Sequence, residues 1–178
     1  KYYTNLSLCE QIAKTFQKVP SSILAKHKEY LIFQLSNSFF NLSGNAIAAR
    51  RANGDVSTFY VCCSTLFPNT FTNSQPYECE LLGAYAIAYD YDGMLRWSYN
   101  SWPANPQYDS RFRYWASGDT FLVYPQCRTS VRFERLIDGI ELSEKVRTLR
   151  AKYPQSKEAL QPLEEQLALL KTLDINNP

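Results

Sequence analysis

The chain has 178 residues, of which 45% are hydrophobic and 20% are charged, and its formal net charge is +2. The length predicts a single domain, and the composition excludes an intrinsically disordered chain. No apolar run approaches the roughly 18 residues of a membrane-spanning helix, and so small a charge does not indicate a nucleic-acid or membrane partner. Aromatic residues make up 15% of the chain, which suggests a surface that stacks on a flat ligand in addition to an aromatic core.

The first 43 residues give the weakest patterns. Residues 6–17 form a loosely helical pattern that Pro20 ends. The next segment fits either a helix over residues 23–35 or a buried strand at residues 30–33. A helix is then predicted over residues 45–53.

The middle of the chain alternates between strands and helices. A strand rich in β-branched and aromatic residues is predicted at 56–63, followed by a turn-rich loop and a helix over 78–89 that is apolar on most sides. A second strand is expected at 94–99 and a third at 120–124, separated by a long loop at 100–118.

The C-terminal part is helical. An amphipathic helix starts after Ser130, capped by Thr129 or Ser130, and a last helix is expected at about 158–173. The strand–helix alternation predicts an α/β fold with parallel βα units, whose sites lie in the long loops after the strands. A hairpin across 100–118 is the alternative to a parallel crossover.

The cysteines do not indicate a metal or cofactor. The chain has one histidine, His27, and five cysteines without CxxC spacing, so no zinc site and no cofactor are expected. His27 lies in a polar segment, and a catalytic thiol is therefore not expected either. We interpret the cysteines as free, mostly buried thiols, namely Cys9, Cys62, Cys63, Cys79 and Cys127.

A dense polar–aromatic cluster follows the second predicted strand. Strand alternation places Arg96, Ser98 and Asn100 on one side and Trp97 and Tyr99 on the other. Rings beside amide, carboxylate and guanidinium groups suit a sugar, which presents flat C–H faces ringed by hydroxyls. Alternatively, these rings are core residues.

Several charged residues fit a purely structural role as well as a role in a site. Asp109 and Arg111 also fit a local loop ion pair, and Asp119 fits a turn residue that binds loop amides. Glu78 and Glu80 lie at a predicted helix N-terminus, where negative charge is favourable. A solvated helix face is predicted for Arg132, Glu134, Arg135, Glu141, Glu144 and Arg147.

Three long blocks carry a resemblance to a known family. They are residues 92–112, 115–125 and 130–150, with support from residues 57–63 and 68–78. These blocks resemble the C-terminal part of the catalytic domain of glycoside hydrolase family 123, also called domain of unknown function 4091. The resemblance covers about residues 45–150, whereas residues 1–44 match poorly and residues 151–178 resemble a variable helical tail.

The resemblance implies the C-terminal part of a (β/α)8 TIM-type barrel, incomplete in this chain. It implies exo-hydrolysis of β-linked N-acetylgalactosamine with the substrate's acetamide as nucleophile. In that family an Asp of an adjacent Asp-Glu pair orients the acetamide and the Glu protonates the leaving oxygen. No Asp-Glu dipeptide occurs in this sequence. The pair is therefore expected N-terminal to this chain, and the chain alone is expected to be inactive.

The resemblance also implies that this chain supplies the walls of a sugar site. The candidate substrate-binding residues are Trp97, Tyr99, Asn100, Trp102, Asp109, Arg111 and Asp119. The expected partners are an N-acetylgalactosamine-containing glycan and the rest of the barrel, or a second copy paired through open sheet edges. The family implies a periplasmic or extracellular enzyme. The alternatives are a non-catalytic carbohydrate-binding or scaffold module and an unrelated small α/β domain.

Overall fold

The structure, a computed structural model, describes residues 31–34, 44–63, 65, 67–155 and 157–172. The predicted helix over 6–17, together with Cys9 and His27, lies outside the described residues. The elements in chain order are β1 (Leu31–Gln34), α1 (Gly44–Ala52), β2 (Ser57–Tyr60), α2 (Pro76–Ala88), β3 (Gly93–Met94), a short 3-10 turn (Pro125–Cys127), α3 (Val131–Lys152) and α4 (Lys157–Leu170). None of the described helices is long and apolar enough to cross a membrane.

The described strands form a small parallel sheet in the order β1-β2-β3. Leu31 pairs with Ser57, and Thr58 pairs with Gly93, so each strand lies beside the next one along the chain. Helices α1 and α2 make the two crossovers between these strands. The predicted α/β class and its parallel βα units are confirmed, and residues 31–34 adopt the strand alternative.

The second predicted strand is wrong in extent, and the third is wrong because residues 120–124 form only isolated bridges. The backbone N–H of Leu95 still donates to the Phe59 carbonyl at 2.8 Å, but regular pairing ends at Met94. Residues 99–101 instead bond to residues 120–122, through an antiparallel bridge between Asn100 and Phe121. The hairpin alternative therefore describes this segment, because its backbone groups bond to the returning chain instead of the sheet.

Helix α2 is the centre of the structure, as its apolar sequence predicts. Every residue from Leu82 to Ala88 is buried. Its N-terminus is held by Glu78, whose carboxylate accepts the backbone N–H groups of Gln75 at 2.8 Å and Asn69 at 3.0 Å. The charge at this helix start therefore both caps α2 and orders the preceding loop.

Two hydrophobic clusters surround α2. The larger one joins the sheet to α2 and α3 and includes Phe59, Leu82, Leu122 and Leu136. The smaller one contains Ile87, Ala88, Val146 and Leu167 and joins α2 to α3 and α4. Helix α3 starts at its predicted cap, because the Ser130 hydroxyl accepts the N–H of Phe133 at 3.1 Å.

Candidate functional site

The candidate site lies at the carboxyl ends of β2 and β3, where the two longest described loops begin. Arg96, two residues after β3, donates from Nη1 to the carbonyl oxygen of Val61, the residue after β2, at 3.0 Å. The carboxyl ends of neighbouring parallel strands meet at one edge of a sheet. The loops that follow β2 and β3 therefore meet at this edge.

A buried ion pair forms the base of the site. The Asp119 side chain is fully buried, and its Oδ1 lies 3.3 Å from Nη2 of Arg96, whose side chain is also buried. Burial lowers the pKa of the Arg96 guanidinium, while the Asp119 charge opposes that shift. Among the described residues, neither Asp119 Oδ2 nor Arg96 Nε has a hydrogen-bond partner. This Asp119 is thus an ion-pair residue and does not bind loop amides, which was the alternative from sequence.

The same carboxylate oxygen holds Trp97. The indole Nε1–H donates to Asp119 Oδ1 at 3.2 Å, so the Arg96 and Trp97 side chains converge on one atom. The prediction that strand alternation separates Arg96 from Trp97 is wrong, because the strand has already ended at Met94.

Three aromatic rings pack in series beside this ion pair, with neighbouring ring planes tilted by 47° and 40°. Trp97 and Trp115 have centroids 4.8 Å apart, and Trp115 and Tyr114 have centroids 4.6 Å apart. Trp97 is 36% exposed and Tyr114 is 81% exposed. We call Trp97, Trp115 and Tyr114 the aromatic platform. Its exposed rings offer an apolar surface at the edge where the loops meet.

Arg132, in the first turn of α3, joins the two loops. Its Nη1 donates to the carbonyl oxygen of Gly118 at 2.8 Å and to that of Thr70. Its guanidinium also lies over the Phe121 ring, 5.3 Å from the centroid. The prediction that Arg132 belongs to a solvated face is wrong, because its side chain is buried and donates to two loop carbonyls.

The remaining candidate residues lie apart from this hydrogen-bond network. Tyr99 packs edge-on against Phe133 of α3 with centroids 6.0 Å apart. The Trp102 indole N–H donates to the Val123 carbonyl at 2.7 Å. Asn100 is exposed and pairs with Phe121 through its backbone. These contacts fix their positions along the hairpin and leave their sugar-binding role a prediction.

Asp109 and Arg111 form the local ion pair that was the alternative to a binding role. Their oxygen and nitrogen lie 2.7 Å apart, and Asp109 also accepts the backbone N–H of Arg111. The hydrogen bonds from Arg111 lower the pKa of Asp109 to about 2. Both side chains are exposed, so each remains accessible to a ligand.

The Cys63 thiol, near the site, is not activated. Cys63 is largely exposed and lies three residues after β2. Partial desolvation, followed by the neighbouring Cys62 and Asp119, raises the pKa of its thiol. A raised thiol pKa disfavours the nucleophilic thiolate. All four described cysteines are free, but Cys63 and Cys127 are exposed, so the prediction of mostly buried thiols holds for Cys62 and Cys79. Within the described ranges no cluster of His, Cys, Asp and Glu is suited to a metal ion.

Sequence reasoning missed the structural role of Arg132 and the place of Tyr114 in the platform. Arg132 carries a detectable signal, because it falls on the helical stripe of buried α3 residues Leu136, Gly139, Ser143 and Val146. Tyr114 lies in a tight turn closed by the Phe112–Trp115 bridge, and no periodicity marks it.

Comparison with known proteins gives one family. The family described as glycoside hydrolase 123, catalytic domain, matches residues 9–149. No curated protein matches the chain. A solved structure of a family 123 glycoside hydrolase from Clostridium perfringens, described in terms of glycolipid glycan hydrolysis, is similar with a TM-score of 0.69 and 29% identity. The similarity covers 82% of this chain and 26% of that chain, so this chain spans about a quarter of that relative.

Proposed function

The chain belongs to glycoside hydrolase family 123, and we propose that it forms a sugar-binding wall of an exo-acting β-N-acetylgalactosaminidase. The aromatic platform at the carboxyl edge of the parallel sheet is the observation that carries this proposal. Exposed indole and phenol rings match the apolar face of a pyranose, and nearby polar groups match its hydroxyls. The similar Clostridium perfringens protein is described as acting on glycolipid glycans, which supports a glycan substrate for this chain.

The proposal places the small sheet within a (β/α)8 barrel. The strand order β1-β2-β3 is sequential and parallel, with a helix in each crossover, as in successive βα units of such a barrel. A barrel contains eight strands and the described residues form three of them, so the proposal requires the remaining strands to come from outside the described residues, for example from a second copy pairing at an open edge.

The catalytic pair lies outside this chain in our proposal. Hydrolysis assisted by the substrate requires an acid that protonates the glycosidic oxygen while the acetamide oxygen attacks the anomeric carbon. Water then opens the cyclic intermediate and releases the sugar. The Asp-Glu dipeptide that the family resemblance assigns to these steps is absent from the sequence. In the described site, Asp119 is fully buried in an ion pair and is not placed to protonate a leaving group.

The platform residues and their neighbours have different roles in this proposal. Trp97 supplies the stacking surface, and Tyr99, Asn100 and Trp102 extend the wall along the hairpin. Asp109 and Arg111 offer exposed hydrogen-bonding groups beside it, while Asp119 lies behind Trp97.

A binding titration of the full chain with methyl N-acetyl-β-galactosaminide tests the wall. Trp97→Ala should weaken binding about tenfold, equivalent to about 1.4 kcal/mol. Tyr153→Ala is the matched control, because Tyr153 is 40% exposed at the end of α3. That end lies near the amino side of the sheet, since Arg147 donates to the carbonyl of Tyr91, just before β3. Equal affinity of both variants and the wild type would contradict the proposal.

A turnover assay with an aryl N-acetyl-β-galactosaminide tests the location of the acid. We expect no hydrolysis by this chain, and measurable hydrolysis would place the acid within it. The intact mass and N-terminal sequence of the natural protein separate the enzyme from the alternative. A larger parent with an upstream Asp-Glu pair supports a hydrolase, whereas a parent of this length supports a non-catalytic carbohydrate-binding module.

A further inference from the structure

Asp119 is fully buried, and it bonds directly to a ring of the platform. Its Oδ1 accepts the Trp97 indole N–H at 3.2 Å across 22 positions of sequence. We propose that Asp119 is a positioning residue, which contacts no sugar and fixes the orientation of the Trp97 ring on which the sugar stacks. This inference rests on the proposed function of the platform.

One hydrogen bond is enough to orient this ring. An indole has a single donor, so an acceptor on its N–H fixes the edge that points inward. The bond to an ionised carboxylate is stronger than one to a neutral acceptor. Trp115 packs on the same ring, which limits the remaining rotation. The exposed part of Trp97 is therefore presented in one orientation.

Arg96 links that orientation to the sheet. Its Nη1 binds the Val61 carbonyl at the end of β2, while its Nη2 binds both the side chain and the backbone carbonyl of Asp119. The contacts thus run from β2 through Arg96 and Asp119 to the Trp97 indole. A ring fixed to a regular element is more precisely placed than one carried by a loop alone.

The incomplete hydrogen bonding of this pair favours a positioning role over a purely stabilising one. Asp119 Oδ2 and Arg96 Nε are buried without partners among the described residues. A buried ion pair with unsatisfied atoms contributes little net stability compared with a packed apolar pair. The Arg96–Asp119 pair acts instead by orienting the Trp97 ring.

A double-mutant cycle on the full chain tests the proposal. Asp119→Asn should weaken binding of methyl N-acetyl-β-galactosaminide about tenfold. In the Trp97→Phe background, which lacks the indole N–H, the same change should alter affinity less than about twofold. Equal losses in both backgrounds would show that Asp119 acts on the fold and not through the indole, and would overturn the proposal.

The matched control is Asp55→Asn. Asp55 is a mostly buried carboxylate, 3.3 Å from Arg50, and it lies just before β2 at the opposite edge of the sheet. This variant also breaks an ion pair, but sugar affinity should stay within about twofold of the wild type. A tenfold loss from Asp55→Asn would mean that general destabilisation explains the Asp119 result, which would overturn the proposal.

Indole N–H spectra give a readout that does not depend on sugar. In the wild-type chain the Trp97 indole proton should exchange slowly with solvent, and in Asp119→Asn its resonance should shift and its exchange accelerate. A wild-type Trp97 proton that exchanges as fast as that of free tryptophan overturns the proposal even if Asp119→Asn fails to fold. Absence of sugar binding by the wild type overturns the proposed function, whereas wild-type binding that Asp119→Asn leaves unchanged overturns only the positioning role.

Discussion

Gly83 of α2 and Gly139 of α3 lie so close that a Cβ built on Gly83 would be 2.0 Å from the Gly139 carbonyl oxygen. The Ser143 hydroxyl donates to the Gly83 carbonyl at 2.6 Å beside this crossing. The contact sets the distance between α2 and α3, and α3 carries Arg132 into the site. The helix crossing therefore fixes the position from which Arg132 reaches the carbonyls of the two loops.

Gly83→Ala should destabilise the chain by about 2–3 kcal/mol, because the new methyl group overlaps backbone atoms that cannot move independently. Urea denaturation measures the change in the free energy of unfolding. Gly93→Ala is the control, since a Cβ there meets nothing within 4 Å, and its effect should stay within about 0.5 kcal/mol. Equal stability of the two variants would contradict the close helix contact.

Arg132→Lys should destabilise the chain by about 2 kcal/mol and loosen both loops of the site. An ammonium group cannot reproduce the planar guanidinium that binds carbonyls and stacks on Phe121 at the same time. Hydrogen exchange of the amides of Thr72 and Gly118, which bond between and within these loops, measures the effect. Arg135→Lys on the half-exposed face of α3 is the control and should leave these amides unchanged.

Stability should fall at alkaline pH in a way that depends on Cys79. Burial raises the pKa of this thiol from 9.0 to about 11, so the unfolded chain loses the proton first. The contribution is fully present below about pH 9 and is lost as pH rises toward 11. The free energy of unfolding should therefore decrease less steeply over this range in Cys79→Ala than in the wild type. An unchanged slope in Cys79→Ala would contradict this prediction.

The Arg150–Glu164 pair should stabilise the α3–α4 contact in a pH-dependent manner. Two hydrogen bonds of 2.7 Å join the side chains, and they lower the pKa of Glu164 below its ordinary 4.5. Its contribution is present above pH 4.5 and is lost as pH falls through the lowered value. Glu164→Gln should cost about 0.5–1 kcal/mol at pH 7 and less at pH 3. A constant cost across this range would contradict the ion pair.

The sequence by itself determined the α/β class, the parallel βα order and the family. These follow from patterns that are local in the chain: the β-branched run of β2, the apolar residues of α2, the Ser130 cap of α3 and the long blocks that resemble the family. Such features depend on neighbours a few residues apart, so periodicity and capping rules identify them.

Only the tertiary structure decided how the site residues meet. Trp97 and Arg96, adjacent in sequence, converge on one oxygen of Asp119 because the chain leaves the sheet after Met94 and returns as an antiparallel hairpin. Arg132, predicted to be solvated, is buried because loop carbonyls 14 and 62 positions away in the chain require a donor. Hydrogen bonds between distant residues depend on the path of the loops, and no local repeat in the sequence records that path.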